Sequence, residues 1–196
     1  AFAESSVKLI GKKIYGLPVI KIEEIPQDSF IIVSSPDTIY LNISGEPLMS
    51  EKFWEVLDYI DKSSNDPYLF TITNALLLNE KAAERIVNST FKMVTISMDA
   101  ATPKTYKRLR RGGDFNIWLE NVKNFLRLRN ESGRKNFEIN ILYTAQRECL
   151  PEIPDAIKIA GEIGIDKIEI HPLYNLSEKQ TWVVPVDEEF TYFYPQ

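Results

Sequence analysis

From about residue 38 onward, short apolar runs alternate with longer stretches whose apolar residues recur at helical spacing. Thr38–Ile43 is β-branched and aromatic and predicts a strand. Phe53, Trp54, Leu57 and Ile60 mark one face of a helix over Glu51–Asp61, with Ser50 as its expected N-cap. Tyr68–Thr73 predicts the next strand, and Asn79 caps a helix running through Ile86. Met93–Met98 follows as a strand, and Thr102-Pro103 opens a short helix with Pro at its first position. Asp114 caps a long helix whose apolar stripe is Ile117, Leu119, Val122, Phe125, Leu126 and Leu128. Asn136–Thr144 predicts a strand, Ile153–Ile163 a helix closed by Gly164, and Lys167–Pro172 a last strand.

A repeated βα rhythm implies an α/β fold with a parallel sheet, curved by right-handed crossovers into an incomplete barrel of about five to six strands. Ligands of such sheets sit beyond the C-terminal strand ends. Ser44–Pro47, Thr73–Asn74, Ser97–Asp99, Gln146 and His171–Pro172 all fall there. The chain therefore divides into a small N-terminal αβ appendage over 1–37, the partial barrel over 38–175, and a polar, aromatic stretch over 176–196 that reads as the start of a further extension. Val7–Ile10 and Phe30–Val33 predict strands in the appendage. Only Ser34, Ser35, Pro36 and Asp37 separate the second of these from Thr38–Ile43. A parallel crossover needs about a dozen residues. The two runs therefore either pair as a hairpin or belong to different sheets.

Composition narrows the classes. A net charge of −5 disfavours a general nucleic-acid binder. No apolar run approaches the ~18–20 residues of a membrane span. The opening AFAESSVKLIGKK lacks the pattern of a signal peptide, and the simplest expectation is a cytoplasmic protein. The chain opens on Ala1 rather than Met, so the expectation is that the natural start is missing. One cysteine, Cys149, excludes an internal disulfide and has no cysteines near it at metal spacing. His171 is the only histidine, which excludes a zinc site built on paired histidines. No metal-binding residues and no catalytic residues are singled out.

Ser44-Gly45-Glu46-Pro47 follows a strand directly. Gly45 lets backbone approach a ligand, and Glu46 can accept hydrogen bonds from an ammonium group. A Gly-Pro turn with a solvated Glu is the plainer alternative. Ser97 and Asp99 alternate along one strand end and point to one face. Lys104, Lys107, Arg108, Arg110 and Arg111 cannot all reach one pocket, so most of that run is solvated surface.

The ordered set SGEP, Thr73-Asn74, Ser97-Met98-Asp99, Tyr106 to Arg110 and the long helix after RRGGD resembles the core of radical S-adenosylmethionine (SAM) enzymes. The wording SMDAAT…RRGGDF is closest to the SPASM type, many members of which modify peptides. The resemblance implies a SAM site in which Ser44, Gly45, Glu46 and Pro47 hold the methionyl amino group. It implies that Asn74 matches the family's Thr-Asn-Gly strand end, that Ser97 and Asp99 face the ribose side, and that Arg110 pairs with the SAM carboxylate. Ala75 replaces the family's Gly, which costs backbone freedom if that position needs positive φ. Gln146 and residues 171–173 fall where the family shapes the adenine and substrate pocket.

In the intact family a C-x-x-x-C-x-x-C loop holds a [4Fe–4S] cluster, which cleaves SAM to a 5′-deoxyadenosyl radical. One cysteine cannot supply three thiolates. The cluster loop and first βα unit would stand near residues 36–38, where an internal loss is expected. Three expectations follow. The chain is an inactive fragment or degenerate homologue of a radical SAM enzyme; or it is a SAM- or nucleotide-binding protein or scaffold without catalysis; or it is a cluster-independent βα-barrel lyase using Glu46, Asp99 and His171. The substrate, small molecule or peptide, is unspecified. An uncovered edge of the barrel predicts self-association or a partner.

Overall fold

The computed structural model describes residues 2–3, 13–14, 17–20, 30–35, 38–43, 45–63 and 66–173. The strands are β1 (Phe2–Ala3), β2 (Lys13–Ile14), β3 (Leu17–Ile20), β4 (Phe30–Ser35), β5 (Thr38–Ile43), β6 (Tyr68–Thr73), β7 (Phe91–Met98), β8 (Glu138–Ala145) and β9 (Lys167–Pro172). The helices are α1 (Glu51–Asp61), α2 (Glu80–Val87), α3 (Pro103–Leu109), α4 (Phe115–Glu131) and α5 (Ile153–Ile163). The strands form one sheet in the order β2-β3-β1-β4-β5-β6-β7-β8-β9. β5 to β9 pair parallel throughout, a five-stranded run consistent with a partial βα barrel.

β4 and β5 pair antiparallel, from Phe30 against Ile43 to Ser35 against Thr38. The short link therefore makes a hairpin, the first of the two arrangements that its length allows. Val7–Ile10 lies outside the described residues, as does the stretch 176–196.

Alternation along the strands sets two faces. Leu69, Val94, Ile96, Met98, Ile139, Ile141 and Tyr143 are buried in one core with Phe53, Leu57, Ala83, Ile86, Trp118, Val122 and Phe125 of the helices. The opposite face carries Tyr40, Phe70, Ile72, Thr95, Ser97, Leu142 and Thr144, all only half-buried. Tyr40 stacks on Phe70 at 4.7 Å between ring centroids on this open face. Buried residues of all five described helices join that one core, which leaves the opposite face of the parallel strands open.

The helix ends follow their caps. Asn79 accepts from the Ala82 N–H at 3.0 Å, and Asp114 from the Asn116 N–H at 2.7 Å. Gly164 closes α5 with φ +85°. Ser50 departs from expectation: it holds the N-cap position of α1, but its side chain makes no cap bond. The preceding 3-10 turn, Pro47–Met49, takes its cap from Glu46 instead. β7 starts two residues earlier than its pattern suggests, and β8 starts two residues later. At the N-terminal end of β8, Asp166 accepts from the Ile139 N–H at 2.8 Å and from Arg129 at 2.5 Å.

Candidate functional site

The polar groups of the parallel sheet gather at the C-terminal ends of its strands. Gly45, at φ +104°, turns the chain out of β5 and is solvent-exposed. Ser44 lies outside the described residues. Glu46 reaches across to β6, where its Oε1 accepts from the Thr73 hydroxyl at 2.6 Å and its Oε2 from the Asn74 N–H at 2.7 Å. Oε1 also accepts from the Leu48 N–H at 3.2 Å, and Pro47 is buried beside it. Glu46 therefore ties the β5 end to the β6 end. A carboxylate has about four lone-pair sites, so one acceptor position stays open to a further donor.

Asn74 folds back on itself, its Oδ1 accepting from the Leu76 N–H at 2.9 Å. Ala75 takes φ +60°, the only non-glycine among the described residues with positive φ. The position does need the left-handed backbone that a glycine would take more readily. Asn121 of α4 braces the loop, donating to the Ala75 carbonyl at 2.8 Å and the Leu76 carbonyl at 3.3 Å.

Ser97 and Asp99 project from the end of β7. The Trp118 indole donates to the Ser97 carbonyl at 3.1 Å and fixes that strand end. Asp99 Oδ2 accepts from Arg110 Nε at 2.5 Å and also pairs with Arg110 Nη2. Their side chains are 16% and 25% exposed, so the pair is reachable from the open side yet partly desolvated. Residues expected to grip different parts of a ligand thus grip each other. Gly113 makes this possible: a Cβ there would meet Tyr106 Cε1 at 2.9 Å and Arg110 Cγ at 3.2 Å. Tyr106 packs against Phe115 and Trp118, and burial pushes its phenol up to about 12.

The sequence reading missed Glu152. From the turn before α5, it accepts from the Ala101 N–H at 2.8 Å, the Thr102 N–H at 3.0 Å and the Thr102 hydroxyl at 2.8 Å. Burial raises its pKa, but hydrogen bonds from Thr105, Thr102 and Ala101 outweigh this and hold the carboxyl below its usual range. Its partners lie some 50 residues away, so no local pattern announces it.

Two other candidates stand apart. The Glu169 carboxylate of β9 pairs with Lys167 and approaches His171 Nε2 at 3.1 Å. The His171 side chain is about half exposed. Cys149 is buried, its thiol within 3.3 Å of the Gln146 carbonyl and 3.4 Å of the Thr144 carbonyl. Burial raises its pKa, so it is a protonated, packed thiol.

The site is thus a row of separately hydrogen-bonded carboxylates and one guanidinium, set on the strand ends of a partial βα barrel. Residues 19–153 match the model of the radical SAM superfamily, and the chain belongs to that family. A "Probable GTP 3',8-cyclase" of Methanococcus maripaludis is 31% identical over 150 residues, covering 74% of this chain and 47% of the relative. Mycofactocin maturase MftC of Mycobacterium ulcerans is 26% identical over 139 residues, covering 70% of this chain and 36% of the relative. The chain spans about half the length of the first of these. Among solved structures, Streptococcus suis SuiB bound to S-adenosylmethionine superposes with TM-score 0.56 at 17% identity, over 70% of this chain and 30% of that one. Archaeal TYW1 superposes with TM-score 0.51 at 22% identity, over 70% of this chain and 43% of that one. Both share the fold.

Radical SAM homologues use SAM and a [4Fe–4S] cluster. The two groups fare differently against this chain. The residues present do not fit the cluster, which takes three thiolates: the sequence given has one, Cys149, buried and hydrogen-bonded into its own turn. SAM fits better, since its ammonium, ribose hydroxyls and carboxylate call for the acceptors and the guanidinium that Glu46, Asp99 and Arg110 carry. No helix among the described residues is long and apolar enough to cross a membrane.

Proposed function

We propose that this chain is the SAM-side scaffold of a radical SAM protein, and that by itself it binds SAM without cleaving it. The observation that carries this reading is the Asp99–Arg110 pair, partly desolvated at the end of β7. A planar guanidinium offers two parallel donors to a carboxylate, and Asp99 already holds that fork in place. In this reading the SAM carboxylate takes Arg110 while Asp99 turns to the ribose hydroxyls, with Ser97 on the same face. The methionyl ammonium faces the Ser44–Pro47 turn, where Glu46 keeps one acceptor position, and Asn74 closes that side.

The proposal extends to residues outside the pocket. In this reading residues 1–37 form an appendage to the partial barrel. A peptide substrate is one candidate class, because the solved SuiB complex contains a precursor peptide. The lyase reading has little support: Glu46 is tied to Thr73 and Asn74, Asp99 to Arg110, and His171 to Glu169.

Calorimetric titration of SAM into the purified chain tests the reading. The expected result is saturable binding with one site per chain. Absence of saturable binding overturns it.

A further inference from the structure

Glu152 stands at the N-cap of α5, yet its side chain makes no bond to that helix. It reaches instead to the loop between β7 and α3, accepting from two backbone N–H groups and one hydroxyl within 3.0 Å. Asp99 lies between two fixed points. On one side the Trp118 indole holds Ser97; on the other Glu152 holds Ala101. Each anchor is two residues from Asp99. The same carboxylate binds Thr102, the N-cap of α3, whose C-cap is Arg110. One side chain from the β8–α5 loop is therefore bonded two residues from Asp99 and at the start of the helix that ends on Arg110, without a bond to either.

We infer that Glu152 is a positioning residue for the SAM carboxylate grip, acting on Asp99 through Ala101 and on Arg110 through α3. This rests on the reading of the site given above. A carboxylate fixed by several donors presents a rigid frame, and a bidentate grip loses strength steeply when its fork is misplaced. Glu152→Gln keeps the volume but removes the charge, and its one amide oxygen can serve either the two backbone donors or the Thr102 hydroxyl, not both. Asp166→Asn provides the control, since Asp166 is a carboxylate of the same kind at the opposite end of β8.

Two readouts are taken on the full chain: SAM affinity by calorimetry, and the Arg110 Nε–H cross-peak in ¹⁵N spectra without ligand. Glu152→Gln is expected to weaken SAM about tenfold and to shift or broaden the Arg110 signal. Asp166→Asn, matched for loss of thermal stability, is expected to change neither. If Glu152→Gln does not fold, Glu152→Asp keeps the charge but shortens its reach by one methylene, and is expected to move the same signal to a smaller extent. An unmoved Arg110 signal overturns the inference, as does an equal loss of affinity in the Asp166 control. If the parent chain fails to bind SAM while the Arg110 signal moves only in the Glu152 variant, the positioning stands and the SAM reading falls.

Discussion

Arg110→Ala separates a carboxylate grip from a general role in holding the pocket together. Arg110 donates through both Nε and Nη2 to Asp99 Oδ2, with its side chain 25% exposed. A hydrogen bond to a charged group contributes roughly 1.5–3 kcal/mol. To take a ligand carboxylate, Arg110 must share or give up Asp99, so about half of that gain survives, or about 0.8–1.5 kcal/mol. The expected loss is about four- to twelvefold in affinity, at about 1.4 kcal/mol per tenfold. The assay compares two ligands on the parent and the variant: SAM, which has the amino-acid carboxylate, and 5′-methylthioadenosine, which lacks it. Only SAM should weaken. Equal weakening of both ligands, or of neither, refutes the reasoning, because the first indicates a collapsed pocket and the second an idle arginine.

Other substitutions test the same frame. Glu46→Gln breaks the tie between the β5 and β6 ends; with the bonds to Thr73 and Asn74 impaired, unfolding in urea should show a loss of about 1–3 kcal/mol. Ala75→Gly should stay within about 1 kcal/mol of the parent, since relief of left-handed strain is offset by lost methyl burial and added chain entropy. Ala75→Val places a β-branched residue at φ +60° in a fully buried position and should cost about 2–4 kcal/mol in the same assay. Glu152 has its folded pKa below the unfolded value, so its contribution is present above the unfolded pKa and fades as pH falls through the lowered folded one. Glu152→Gln should accordingly flatten the acid limb of a stability–pH curve, and an unchanged limb contradicts this. Cys149 should react with a thiol reagent only on the unfolding timescale, so rapid labelling of the native chain counts against its burial.

The elements were legible wherever a local rule decided them. Thr38–Ile43 and Tyr68–Thr73 are β-branched and aromatic, and Asn79, Thr102 and Asp114 cap their helices as their chemistry requires. The left-handed backbone at Ala75 was also foreseeable, from an Ala standing where the family has Gly. What stayed hidden was long-range pairing. A short link told that β4 and β5 could not be parallel neighbours, but hairpin and separate sheets remained equally open until the register was seen. Ser50 reads as a cap by type, yet Glu46 serves the preceding turn and the Ser50 hydroxyl does no capping. Asp99 and Arg110 were each assigned to a ligand, and nothing in an 11-residue spacing revealed that they bind one another. Glu152 looks like an ordinary acidic residue at a helix start, favoured there by the dipole, while its partners lie on another loop.

The function proposed for this chain is a SAM-side frame that cannot build the cluster within itself. Anaerobic reconstitution of the purified chain with iron and sulfide, followed by reduction in the presence of SAM, tests it directly. The expected result is SAM binding with no stoichiometric cluster and no 5′-deoxyadenosine released. About four irons held per chain, together with reductive cleavage of SAM, would contradict it.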